Sequence, residues 1–246
     1  MATHASASRT WTPKEVDSLI VEQGFRLRGL EVTRLDTFVD AAFAFVLTLL
    51  VISFDEIPSN YTEMLDAIKR IPAFAASFAV LMMFWRQHRN WSRRYGLENS
   101  QTILYSLLLI FIVLVYVYPL RMLFEGMFTN LSSGYLASSY QFNTYAEFRW
   151  MFIFYSAGFC AMSLMIALLY RAASKSADLL LLDNFERLKT KAEMYSWTIA
   201  IGFAAVSMTL AYFLPENLVT ISGYMYFALL PLGKLPHYLL LKKKKP

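Results

Sequence analysis

The stretch RLDTFVDAAFAFVLTLLVISFDE (residues 34–56) decides the fold. It is long and apolar enough to enter a membrane. Yet it carries Arg34 and Asp36 at its start, Asp40 about one turn inside, and one hydroxyl, Thr48, in mid-run. A hydrocarbon core of roughly 30 Å takes about 20 apolar residues in helical form. Residues 37–54 meet that length, and five more runs follow at 73–91, 102–124, 151–170, 194–213 and 218–240. The chain is 57% hydrophobic with mean hydropathy +0.41, above the roughly 45–50% apolar content of a soluble domain. No run alternates with period two, which argues against an outer-membrane barrel. The expected fold is all-α: a polytopic membrane protein with six transmembrane helices.

Lys and Arg give the orientation. Of 23 such residues, 18 fall in four segments that share one side: before the first run, after the second, after the fourth, and in the tail. Both termini are therefore expected in the cytoplasm, which needs an even number of spans. The basic balance is thus mostly topology. Its charges are scattered, so nucleic acid is not an expected partner, whereas the Lys242–Lys245 tail suits anionic membrane lipid. The expected organisation is a cytoplasmic segment at 1–33, a six-helix transmembrane bundle at 34–241 and a basic tail at 242–246. The first run lies too deep for a cleaved signal peptide and is expected to act as an uncleaved insertion signal.

Local signals refine this plan. Thr12-Pro13-Lys14-Glu15 reads as a capped helix start, leading into an amphipathic helix with Val16, Leu19, Ile20 and Phe25 on its apolar side. Asn60 or Thr62 can cap a short helix in the first external loop. The short connection after the fifth run makes the last two runs antiparallel neighbours. Pro231 and Pro236, with Gly233 and Lys234 between them, break or kink the sixth run.

Catalysis finds little support. His4, His88 and His237 form no HExxH pattern, there is no GxSxG or phosphate loop, and the lone Cys160 cannot form an internal disulfide. No cofactor or metal is expected. The bare midsections of the runs suit a passive, hydrophobically gated path better than a polar midplane site.

At about 100° per residue, Ala41, Phe45, Thr48 and Ile52 share one side of the first helix, with Asp55 continuing the line outward and Arg34 near its inner end. Asp40 lies roughly 140° from Phe45 and faces elsewhere. A threonine in a membrane helix commonly bonds its own carbonyl four residues back, here Ala44. An unpaired Asp40 at that depth costs roughly 2.5–3.5 kcal/mol. Arg34, or the polar end of the second run with Trp85, Gln87, His88 and Arg89, can relieve it.

Arg34-x-x-x-Phe38-Val39-Asp40, with Thr48 eight residues after the acid, resembles the Arg-x-x-x-Phe-Ser-Asp signature of the transmembrane-protein-175 family of potassium channels. Phe84-Trp85-x-x-His88, the Leu97-Glu98-Asn99 start of the third run and its late Pro119 are similar to that family as well. The resemblance implies a potassium channel without a TVGYG filter, a homotetramer in which first helices line the pore. It places a hydrophobic constriction at Phe45 and Ile52 and a threonine layer at Thr48. It implies that Arg34, Phe38 and Asp40 brace the first helix against Trp85 and His88. Two positions depart from the pattern: Val39 stands where the family has serine, and Phe45 where isoleucine or leucine is usual. The expected function is a potassium-permeable channel in the plasma membrane, with Asp55 and Glu56 concentrating cations at the outer mouth. The alternatives are a secondary transporter or proton-coupled cation carrier built around the broken last run and Lys234, and a membrane-embedded enzyme or scaffold.

Overall fold

The computed structural model describes residues 10–52, 58–138, 140, 144–215 and 218–241. Asp55, Glu56 and the 242–246 tail lie outside the described residues. Helix α1 (Pro13–Asp17) starts as the sequence predicts. Thr12 Oγ1 accepts the Glu15 N–H, while the Glu15 carboxylate accepts the Thr12 N–H at 2.8 Å.

The amphipathic helix expected beyond it does not form. Instead β1 (Val21–Glu22) and β2 (Phe25–Arg26) pair antiparallel around Gln23 and Gly24, whose φ angles are 50° and 75°. A two-residue hairpin turn wants positive φ at both central positions, and glycine adopts it without strain. There is no room for a side chain either, since a Cβ on Gly24 would come within 2.9 Å of the Phe185 ring. Phe25 is fully buried, edge-on to Tyr95 at 5.4 Å. The segment therefore lies against the helix bundle.

Six longer helices follow: α2 (Arg34–Ile52), α3 (Tyr61–Lys69), α4 (Ile71–Tyr95), α5 (Ser100–Leu131), α6 (Tyr145–Lys175) and α7 (Asn184–Phe213). Asn60 caps α3, its side chain accepting the Glu63 N–H at 3.0 Å. Among the described residues, five helical segments are long and apolar enough to cross a membrane: α2, α3–α4, α5, α6 and α7. Helices α5, α6 and α7 contain 30 to 32 residues, or about 45 Å at 1.5 Å per residue, so their ends project past a core of roughly 30 Å. Helix α5 runs through Pro119 to Leu131, which makes the third connection shorter than the hydropathy pattern suggests.

The last run is broken into α8 (Thr220–Tyr224), a 3₁₀ turn (Met225–Ala228), α9 (Leu229–Leu232) and α10 (Leu235–Leu241). The interruption falls at Gly233 and Lys234, between the two prolines. The run packs back along α7. Ser207 Oγ donates to the Ser222 carbonyl at 2.9 Å, and His237 Nε2 stands 3.5 Å from a Glu193 oxygen.

The core is rich in aromatic side chains. Phe84 packs between Phe159 and Trp197, and Tyr95 meets Trp91 and Tyr170. The Trp91 indole is tied down as well, its Nε1 donating to the Leu169 carbonyl at 2.8 Å. One end of the bundle gathers the start of α2, the end of α4, the start of α5, the end of α6 and the start of α7. Arg94 pairs with Glu193 at 3.0 Å, and the Tyr95 hydroxyl meets Thr190 at 2.7 Å.

Candidate pore helix and its anchoring

Helix α2 opens with a reciprocal cap. The Asp36 N–H donates to Thr33 Oγ1 at 3.1 Å, and Asp36 Oδ2 accepts the Thr33 N–H at 3.2 Å and its hydroxyl at 2.9 Å. Beyond the cap the helix has two unlike sides. Val39, Phe43, Val46 and Leu50 are at most 2% exposed and pack into the core. Ala41, Phe45, Thr48 and Ile52 are exposed, Phe45 at 57% and Ile52 at 70%. The two sets lie on opposite sides of the helix, as a 100° step requires.

The outward side of α2 differs from that of α5. On α5 the exposed large residues include Leu104, Leu107, Leu108, Phe111 and Val115, a surface suited to hydrocarbon. On α2 the outward side also carries Arg34, Thr37 and Thr48. Polar groups at membrane depth are costly where they meet lipid.

The Thr48 hydroxyl donates to the Ala44 carbonyl at 3.0 Å and the Phe45 carbonyl at 2.7 Å. Its one proton is thereby held against the helix, and the oxygen keeps acceptor capacity. Back-bonding and cation contact are thus compatible at this side chain.

Trp85 Nε1 donates to Asp40 Oδ1 at 2.8 Å, joining α2 to α4, and the Arg89 guanidinium lies 5.5 Å from the Trp85 ring centre. His88 turns the other way. It is buried, and its Nε2 meets Ser106 Oγ on α5 at 2.9 Å. Because Ser106 Oγ donates to the Thr102 carbonyl, Nε2 is assigned as the donor. Arg34 is exposed and Phe38 is 54% exposed; the Arg34 side chain makes no hydrogen bond or ion pair among the described residues. Val39, in the motif position that resembles a serine site, is buried among apolar side chains. Lys234 is exposed at the break in the last run.

Three further groups anchor this end of the molecule, and hydropathy did not single them out. Asp36 Oδ1 accepts the Ser92 hydroxyl at 2.5 Å. The Arg28 and Glu186 side chains are fully buried and paired, Nη2 to Oε2 at 2.9 Å. Arg28 also donates to the carbonyls of Leu180 and Arg26. Beside them, Arg26 pairs with Asp183 at 2.7 Å. Burial pushes the Asp183 carboxyl upward, but the Glu186 N–H and the Arg26 guanidinium outweigh it and hold the pKa below its ordinary value.

The family model described as "Endosomal/lysosomal potassium channel TMEM175" matches residues 34–119, the part that begins with α2 and its motif. A potassium channel of Marivirga tractuosa is 30% identical over 218 residues, covering 85% of this chain and 87% of that protein. The chain belongs to the TMEM175 family of potassium channels. A crystal structure of the potassium channel MtTMEM175, a threonine-to-alanine variant in complex with a nanobody–MBP fusion, agrees with a TM-score of 0.77. The match covers 91% of this chain and 99% of that one at 26% identity. As a TMEM175 protein the chain is a multi-pass membrane protein of the potassium-permeation class and not an enzyme. Its apolar helices are membrane-embedded.

Proposed function

We propose that four copies of the chain form a potassium-permeable pore in the plasma membrane. Each subunit crosses six times with both termini in the cytoplasm, and α2 lines the pore. The broken last run supplies the sixth crossing, consistent with its return along α7. Phe45 and Ile52 form apolar rings that exclude water when the path is closed. Four Thr48 oxygens replace part of a passing ion's hydration, in place of a TVGYG filter. Asp55 and Glu56 raise the cation concentration at the outer mouth, and membrane lipids surround the bundle. Asp40 holds α2 to α4 through Trp85, and His88 ties α4 to α5, while Arg34 and Phe38 complete the motif at the inner end of α2.

The observation that carries this reading is the division of α2. In a single subunit its Phe45–Thr48–Ile52 side is uncovered, and its mid-helix hydroxyl keeps acceptor capacity for an ion. Potassium and sodium flux into liposomes tests it. Thr48→Ala is expected to weaken potassium preference, and Phe45→Ala to raise leak. Assembled variants that change neither would refute the assignment of the pore to α2. Saturating flux driven by a counter-ion gradient would favour a carrier instead.

A further inference from the structure

Asp36 and Asp40 are four residues apart on α2, and Trp85 and Ser92 are seven apart on α4. At about 100° per residue each pair lies on one side of its helix. The helices run antiparallel, so the contacts form two rungs: Asp40 with Trp85 at 2.8 Å and Asp36 with Ser92 at 2.5 Å. The two rungs add to the packing of Val39, Phe43, Val46 and Leu50 in fixing the rotation and register of α2 against α4.

The lower rung is braced from behind. The Ser92 carbonyl accepts the Gly96 N–H at 2.8 Å, and the 28–29 backbone crosses this turn of α4. The Gly29 N–H donates to the Arg93 carbonyl at 3.0 Å and the Arg28 N–H to the Arg94 carbonyl at 3.4 Å. A Cβ on Gly29 would lie 2.1 Å from the Ser92 oxygen and 2.9 Å from the Gly96 Cα. Arg28, from the same crossing, is buried against Glu186 at the start of α7. A continuous series of contacts therefore runs from α7 through the N-terminal hairpin and the last turn of α4 to the first turn of α2.

We propose that the Asp36–Ser92 hydrogen bond is a positioning device for the ion path. Anchored by the hairpin, it sets the rotation at which α2 presents Phe45 and Thr48. The leverage is adequate: with side chains reaching about 5–6 Å from the helix axis, a turn of roughly 20° moves their tips by about 2 Å. This rests on the reading that α2 lines the pore, and the test separates the two.

Ala41 lies on the outward side of α2 near the ladder. In a Cys160→Ala background, Ala41→Cys is reconstituted and its reaction with methanethiosulfonate ethylammonium followed, together with potassium flux. Ser92→Ala is expected to change the reaction rate severalfold, with Ser92→Thr restoring it and the oligomer remaining intact in detergent. If Ser92→Ala does not assemble, Ser92→Thr and Ser92→Val make the same comparison, differing by a hydroxyl for a methyl. A rate indifferent to the hydroxyl would overturn the positioning role. Modification of Ala41→Cys that leaves potassium flux untouched in the Ser92 parent would instead overturn the pore reading.

Discussion

Removing the Glu186 carboxylate should cost more than removal of any surface charge. Its two oxygens accept Arg28 Nη1 at 3.2 Å and Nη2 at 2.9 Å, the Arg26 N–H at 2.7 Å and the Asp183 N–H at 3.1 Å. Glu186→Ala leaves the Arg28 guanidinium, in a residue only 6% exposed, with backbone carbonyls as its remaining partners among these contacts. An uncompensated buried charge of this kind costs about 3–5 kcal/mol. At about 2–4 °C per kcal/mol for a chain of this length, the midpoint of thermal unfolding should fall by about 6–20 °C. Intrinsic fluorescence in detergent can follow the melt, since Trp91 and Trp197 are buried in the core. Arg28→Met/Glu186→Leu removes both charges together and should destabilise less than the sum of its single variants. A fall under about 2 °C for Glu186→Ala, or strict additivity in the cycle, would refute the clasp as an energetic unit.

Gly29→Ala should lower the melting midpoint and potassium flux together. Its Cβ would meet the Ser92 carbonyl at 2.1 Å, with a cost on the order of 1–3 kcal/mol or more where backbone must shift. Asp183 predicts a pH effect. Its pKa is lowered in the folded protein, so its contribution is complete above the ordinary carboxylate pKa and is lost as pH falls through the lowered value. Asp183→Asn should flatten the stability profile in that acidic window and leave its shape unchanged near neutrality. An unaltered acid limb would count against the Arg26–Asp183 contact.

Much of α2 was legible in advance because a 3.6-residue period separates its sides without knowledge of any partner. Val39, Phe43, Val46 and Leu50 face the core, and Phe45, Thr48 and Ile52 face away. The caps at Thr12 and Asn60 were legible for a similar reason, since each lies within three residues of the N–H it accepts. The N-terminal hairpin was not. Val16, Leu19 and Ile20 imitate a helical stripe, while the decisive signal was Gln23-Gly24 and the burial of Phe25 under Tyr95. Arg28 and Glu186 are separated by 158 positions, beyond the reach of periodicity. Ser92 carries no signal of its own in the sequence, and Asp36 stands there only as a charge at the start of the run. Only the antiparallel placement of α4 beside α2 makes them a pair. The prolines of the last run, with Gly233 and Lys234 between them, announced the break there, but not the 3₁₀ turn at Met225–Ala228 that interrupts the run before it.

Single-channel recording in a planar bilayer, with potassium on one side and sodium on the other, addresses the pore directly. A path through the Phe45 and Ile52 rings and past Thr48 predicts discrete conductance steps. It also predicts a reversal potential displaced toward potassium equilibrium, and a smaller displacement in Thr48→Ala. Purified, assembled protein that gives no steps, or whose reversal potential is unmoved by Thr48→Ala, would contradict an ion path along α2.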